Sequence, residues 1–294
     1  MKPASPITMS RRAVLGGAVG AALAIPRIAI GDPAMPPVLY VSHGSPLHLP
    51  GNETRRKELA AWGARLARPR GIVVMTPHFG TRRLEIGHVG AGVALYDLPP
   101  RFRSLLPQGL GYATPPNDEL ARLVEDLLGG PRIVPRGDRD GFDHTTWMPL
   151  SCLFPDAGVP VLEIAYPYLP ERDLFDLGAK LGPLRREGVV FVASGQITHN
   201  LAMPFGEATP PPWAREFDAW AAESVAAHDV DGLVDWRARA PAVDLAHPDD
   251  GGHYRVLLVA LGVALAGPQT ARAIAFPVTG FEATMSKRGI EMCS

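Results

Sequence analysis

The stretch VLYVSHGSPLHLP, residues 38–50, runs four apolar or aromatic positions into Ser42 and then stops on His43, Gly44, Ser45 and Pro46. An unbroken apolar run of that length suits a strand covered on both faces, as in a mostly parallel sheet packed between helices. Gly44 supplies freedom for a turn, and Pro46 forbids continued ladder pairing. A histidine therefore stands where a buried strand must turn. Taken alone, His-Gly-Ser-Pro reads better as a plain turn, so the placement gains meaning only if other histidines repeat it.

Similar short runs recur along the chain. IVVMT (72–76), PVLEIAY (160–166), VVFVAS (189–194) and AIAFPV (273–278) read as strands, most of them apolar at successive positions. Between them NDELARLVEDLL (117–128) carries apolar residues at 120, 123, 124, 127 and 128, a helical stripe with Asn117 placed as N-cap. Residues 53–67, 171–186, 213–227 and 252–265 read as further helices, the last rich enough in Leu, Val and Ala to be buried. Strands alternating with helices predict an α/β fold, a three-layer αβα sandwich around a largely parallel or mixed central sheet. No internal repeat and no flexible linker divides it, and the three prolines in GEATPPPWAREF (206–217) look like a rigid lead-in to the helix near Trp213. A single domain from about residue 36 to residue 294 is expected.

The 294 residues are 46% hydrophobic and 20% charged, with a formal net charge of −1. That is ordinary globular composition, without the basic footprint of a nucleic-acid or acidic-membrane binder. The N-terminus stands apart: MSRRAVLGGAVGAALAIPRIAIG sets Arg11 and Arg12 ahead of a Gly/Ala-rich apolar run, the pattern of a twin-arginine export leader over residues 1–35. Such a leader predicts a periplasmic or exported protein, with no membrane attachment once it is removed. Its removal takes away Lys2, Arg11, Arg12, Arg27 and Asp32, leaving 25 bases against 29 acids, a net charge of −4. The two cysteines, Cys152 and Cys293, lack the spacing of a metal or redox pair, and a bridge between them stays open.

Nine histidines are present. His48, His88, His228 and His247 have unremarkable contexts, His88 within an apparent strand. His43, however, follows the strand 38–42, His78 follows 72–76, and His199 lies five residues past 189–194. Open α/β sheets build their ligand crevice beyond the carboxyl ends of such strands, and neutral imidazole is a favoured ligand for zinc and iron. His253 opens the buried helix, where Gly251 and Gly252 let the backbone turn its ring toward the crevice. His144, in FDHTTWMPL, has Asp143 to hold a ring and Trp147 to wall a pocket. The chain has no HExxH, no G-x-S-x-G and no glycine-rich nucleotide loop. A histidine-rich mononuclear metal site, with further histidines for proton handling, is what the pattern leaves.

In sequence order SHGSP (42–46), TPHF (76–79), FDHTTW (142–147), ASGQITHNL (193–201), PPPWAREF (210–217) and HPDDGGHY (247–254) resemble the landmarks of the class III extradiol ring-cleavage dioxygenases, in the branch of DOPA 4,5-dioxygenase-like enzymes. The resemblance implies that His43, His78 and His253 ligate a metal, that His199 is the catalytic acid/base beside it, and that His144 orients the substrate hydroxyl. Ser45, Trp147 and Asn200 are the substrate-binding residues it suggests. The implied cofactor is non-haem Fe(II), with Zn(II) able to take the same ligands in isolated protein. The implied partners are a small-molecule catechol and O₂, with no nucleic acid, and homodimerisation is left open.

Three features depart from that pattern. Thr145 stands where the family usually has Gly, Asp250-Gly251-Gly252 replaces a Thr-Pro-Glu approach to the last ligand, and an export leader replaces a cytosolic setting. A zinc-dependent hydrolase on the same scaffold, and a non-catalytic metal- or ligand-binding member, are the competing readings.

Overall fold

Alternation along the first strand sorts its side chains into two cores. Val38 and Tyr40 point into one cluster of buried side chains, Leu39 and Val41 into another, and all four are fully buried. A computed structural model describes residues 35–45, 52–94, 111–129, 141–203, 209–266 and 270–294. The twin-arginine segment and His48 lie outside these residues. Ala34–Ser294 forms one compact unit.

In chain order the strands are β1 (Val38–Ser42), β2 (Gly71–Thr81), β3 (Ala91–Gly92), β4 (Thr114–Pro116), β5 (Val161–Pro167), β6 (Val189–Gly195), β7 (Ala273–Val278), β8 (Phe281–Glu282), β9 (Met285–Ser286) and β10 (Gly289–Cys293). The main sheet has the order β5-β2-β6-β1-β10-β7. Its first four strands are parallel, and β10 and β7 continue it antiparallel, so the sheet is mixed. The helices are α1 (Glu53–Gly63), α2 (Asp118–Leu127), α3 (His144–Leu153), α4 (Glu171–Leu181), α5 (Pro212–Ala226), three short turns α6 (Val230–Val234), α7 (Trp236–Arg239) and α8 (Val243–Ala246), and α9 (Gly252–Leu265). Helices α1 and α3 bring Leu59, Trp62, Trp147 and Leu150 against one sheet face. Helices α2, α4, α5 and α9 bring Val124, Leu174, Phe217 and Leu257 against the other. This is the three-layer αβα arrangement expected, with a strand burying its residues alternately to each side. Among the described residues no helix is long and apolar enough to cross a membrane.

Local corrections follow from side-chain chemistry. Asn117 is the N-cap residue of α2 as expected, but its side chain makes no capping bond; the amide instead accepts from Gly90 N and donates to the carbonyls of His88 and Val161, stitching a loop to β5. His88 lies outside every strand. Helix α3 lies where the sequence reading placed no helix, and it carries Pro149, a residue that ordinarily interrupts a helix interior. Asp143 begins it by accepting from the Thr145 backbone N–H at 2.9 Å and from the Thr145 hydroxyl at 2.5 Å. His78 does not follow its strand: β2 runs on to Thr81, and its ladder with β5 slips between Thr76 and Gly80, which sets His78 within an irregular stretch. Cys152 and Cys293 are both free thiols.

Candidate metal centre

Three elements converge at the carboxyl ends of β1, β2 and β6. His43 sits just past β1, its backbone N–H donating to Gly195 O of the neighbouring strand at 3.1 Å. His78 enters from the irregular part of β2, and its ring centroid lies 5.3 Å from that of His43. His253 comes from the first turn of α9, with its ring 5.3 Å from His43 and 5.2 Å from His78. Two glycines make that approach possible. A Cβ on Gly195 would lie 2.2 Å from His253 O, so only glycine lets the helix N-terminus sit this close to the strand end. His253 O in turn accepts from Gln196 N at 3.0 Å and Tyr40 Oη at 3.1 Å. Gly251 turns the chain into the helix with φ +73°, a conformation that side chains disfavour.

One ligand nitrogen from each of His43, His78 and His253 lies within 4.8 Å of the others. The Nε2 atoms of His78 and His253 are 3.2 Å apart. Two nitrogens bound at about 2.1 Å to one ion would stand roughly 3.0–3.4 Å apart, so the pair already has the span of two ligands on a metal. Burial, and then the neighbouring histidines, push the pKa of His43 well below the ordinary histidine value. Burial followed by His199, His43, His78 and His247 does the same for His253. Neutral imidazoles carry the lone pair a metal needs, so this donor set fits a divalent cation.

The tautomer of His43 follows from a hydrogen-bond relay. Pro149 has no N–H to give the Thr145 carbonyl four residues back, and the Ser194 hydroxyl donates to that carbonyl at 2.5 Å. With its proton committed, Ser194 Oγ accepts from His43 Nδ1 at 3.1 Å. The other ring nitrogen of His43 is left as the acceptor. Thr145, a departure noted in the sequence, contributes that carbonyl, and its hydroxyl is 2.7 Å from Thr76 Oγ1.

Two more histidines complete the cluster. The His199 ring stacks on His253 with centroids 3.6 Å apart and planes 14° from parallel. The His144 ring meets His78 edge-on at 5.0 Å. A cavity of about 340 Å³ is lined by His43, Gly44, Ser45, His78, His144 and His199, together with Gln196, Leu201, His253 and Met285. Leu201, 60% exposed, stands at its open side. Gln196 fixes the wall: it accepts from Gly44 N and donates to Ser286 O in the β8–β9 hairpin.

The structure thus gathers His43, His78, His253, His199, His144 and Ser45. Trp147 and Asn200, expected to touch substrate, do not line this cavity. Trp147 is 1% exposed in the core under α3, where its ring fills the layer between helix and sheet. Asn200 donates to Leu245 O and accepts from Ala202 N, fixing the turn after His199. The sequence reading passed over Ser194, Gln196 and Asp249, although the quoted motifs contain all three. A second cavity of about 310 Å³ lies between the ends of α1 and α3, without a comparable cluster of imidazoles.

Residues 37–277 match the protein family described as the catalytic LigB subunit of aromatic ring-opening dioxygenase. The chain is 31% identical over 264 residues to the 4,5-DOPA dioxygenase extradiol of Escherichia coli, covering 84% of this chain and 90% of that protein. It is 30% identical over 237 residues to the protein of the same name from Beta vulgaris, covering 76% and 85% respectively. The crystal structure of an uncharacterized protein from Escherichia coli K12 superposes with a TM-score of 0.70 at 27% identity, covering 87% of this chain and 99% of that one.

Proposed function

The chain belongs to the LigB family of aromatic ring-opening dioxygenases, and from that premise we propose that it is a non-haem Fe(II)-dependent extradiol dioxygenase acting on a catechol, DOPA or a related diol. The observation that supports this reading most strongly is the clustering of His43, His78 and His253, with ligand nitrogens within 4.8 Å of one another and His199 and His144 beside them at the cavity wall. In this reading His43, His78 and His253 hold the metal through neutral imidazoles. When bound, Fe(II) supplies open positions at which a diol and dioxygen are brought together.

The remaining steps belong to the protein. Three neutral ligands leave the metal's charge uncompensated, so the site favours the anionic form of the diol. His199, stacked on a ligand and lining the cavity, takes the second phenolic proton and returns it as the ring opens. His144, whose ring meets His78 at the cavity wall, orients the diol hydroxyl, and Ser45 contacts the substrate near the turn after β1. Leu201 and Met285 give the ring an apolar surface, which also limits water at the reacting bond. Export through the twin-arginine leader, delivering the enzyme to the periplasm, completes the proposal.

Anaerobic loading with Fe(II), addition of a catechol and then admission of air test the reading. Oxygen uptake with growth of a yellow semialdehyde absorbance is expected, and Zn(II)-loaded protein stays inert. Iron-loaded protein that consumes no oxygen across a panel of catechols overturns it.

A further inference from the structure

We propose that Asp249 is the positioning residue of the proton-handling imidazole, holding His199 as the Nδ1–H tautomer so that Nε2 keeps the lone pair that accepts a substrate proton. The catalytic half of this inference rests on the reading of His199 as acid/base, whereas the hydrogen-bond half stands on geometry alone.

Asp249 Oδ2 lies 3.2 Å from His199 Nδ1. An ionised carboxylate only accepts, so the hydrogen between them belongs to the ring. Burial works against the charged form of Asp249, but the hydrogen bonds from His199 and from Gly251 N–H, with His247 nearby, hold its carboxyl below the usual carboxylate range. The second oxygen is also committed: Oδ1 accepts from Gly251 N at 2.8 Å. Gly251 is the left-handed residue that turns the chain into α9, one residue before the helix and two before His253. One carboxylate therefore fixes both the imidazole expected to move protons and the turn that presents a proposed ligand.

The rest of the neighbourhood agrees. His199 N–H donates to Ala246 O at 2.9 Å, which ties the histidine's backbone to the segment that carries Asp249. The ring is sandwiched edge and face: Asp249 holds its Nδ1 edge, and His253 covers its face at 3.6 Å. With a side-chain exposure of 13%, His199 has little room for a ring flip. A ring flip would carry Nδ1 away from the carboxylate.

Asp249→Asn is the informative variant. Oδ1 faces the Gly251 N–H, so the asparagine carbonyl occupies that position and its NH₂ faces His199 Nδ1. Nδ1 must then accept, and the ring hydrogen moves to Nε2, the wrong tautomer for taking a proton. Long-range ¹H–¹⁵N spectra of metal-free protein at about pH 8, where an ordinary imidazole is neutral, read this directly. Wild type should show His199 protonated at Nδ1, and Asp249→Asn should show it protonated at Nε2. In Fe(II)-loaded enzyme the variant should lose about 10²–10⁴-fold in kcat, with KM for catechol and bound iron changed less than about threefold.

A wild-type spectrum with Nε2–H, an unchanged spectrum in the variant, or a kcat within about threefold of wild type overturns the proposal. So does a metal titration in which the ion settles on His199, Asp249 and His253, whose ligand atoms also lie within 4.8 Å of one another. Should the variant fail to fold, the wild-type spectrum decides on its own. Spectra that switch as expected, in a protein whose wild type opens no catechol, support the assignment of Asp249 and defeat the ring-opening reading instead.

Discussion

His43 and His199 face the same cavity, yet their second nitrogens are held by different chemistry, and this separates their roles. Ser194 is a neutral partner that sets a tautomer without adding charge, which suits a ring that must give a lone pair to a cation. Asp249 is an anionic partner, which suits a ring that must carry a proton for part of a cycle. A division of labour follows for substitutions. His43→Ala or His78→Ala should abolish stoichiometric metal retention, measured by elemental analysis after desalting. His199→Ala should retain the metal and lose about 10²–10⁴-fold in turnover. Equal metal loss in all three variants would refute the division.

At the scale of elements, the cluster exists because β6 and α9 touch through a missing side chain. Gly195→Ala would place a methyl 2.2 Å from His253 O, which lies on backbone and cannot swing aside. The expected cost is about 1–3 kcal/mol of stability, seen as a lower urea midpoint. A shift of His253 away from His43 and His78 should weaken metal binding as well; a variant with unchanged midpoint and metal affinity would show that α9 has slack. Little of this contact was legible beforehand. The strands at 38–42, 72–76 and 189–194 announced themselves because a buried strand is apolar at every position, and the histidines after β1 and β6 fell where the sheet puts them. Helix α3 was not read from the sequence, and it carries Pro149, whose cost is offset when Ser194 takes up the Thr145 carbonyl. Asn117 sits at the N-cap position, but Gly90 N–H and the His88 carbonyl in one distant loop and the Val161 carbonyl on β5 engage its side-chain amide instead of the helix. Asp249 and Ser194 were in view as letters, while their partners lie 50 and 151 residues away in the chain, respectively. Pairings at that range are set by topology, which a local pattern does not encode.

For the whole molecule, buried neutral histidines make stability depend on pH in one direction. His247 is fully buried with its Nε2 donating to Ile197 O at 2.8 Å, and burial takes its pKa from 6.5 down to about 4. The unfolded chain therefore binds a proton first as pH falls. Its contribution is complete above about pH 6.5 and is lost between there and about pH 4, up to about 3 kcal/mol. His43 and His253, both shifted down, add to the same slope in metal-free protein. Urea midpoints measured from pH 7.5 to 4 should fall across that window, and His247→Gln, which keeps a donor but does not titrate, should flatten part of the fall. A midpoint independent of pH would contradict this account. The order of strands carries one further consequence, and it concerns time. β1 is flanked on one side by β10, and Tyr40 pairs with Ile290, 250 residues further along the chain. Contacts of such long sequence separation close late and slowly during folding. Until β10 arrives, β1 is an open strand edge on a growing parallel sheet, able to pair with the same edge of another copy. The chain's most exposed moment is thus the interval before its sheet is complete, and refolding yield should be governed by protein concentration during that interval more than by the stability of the finished fold.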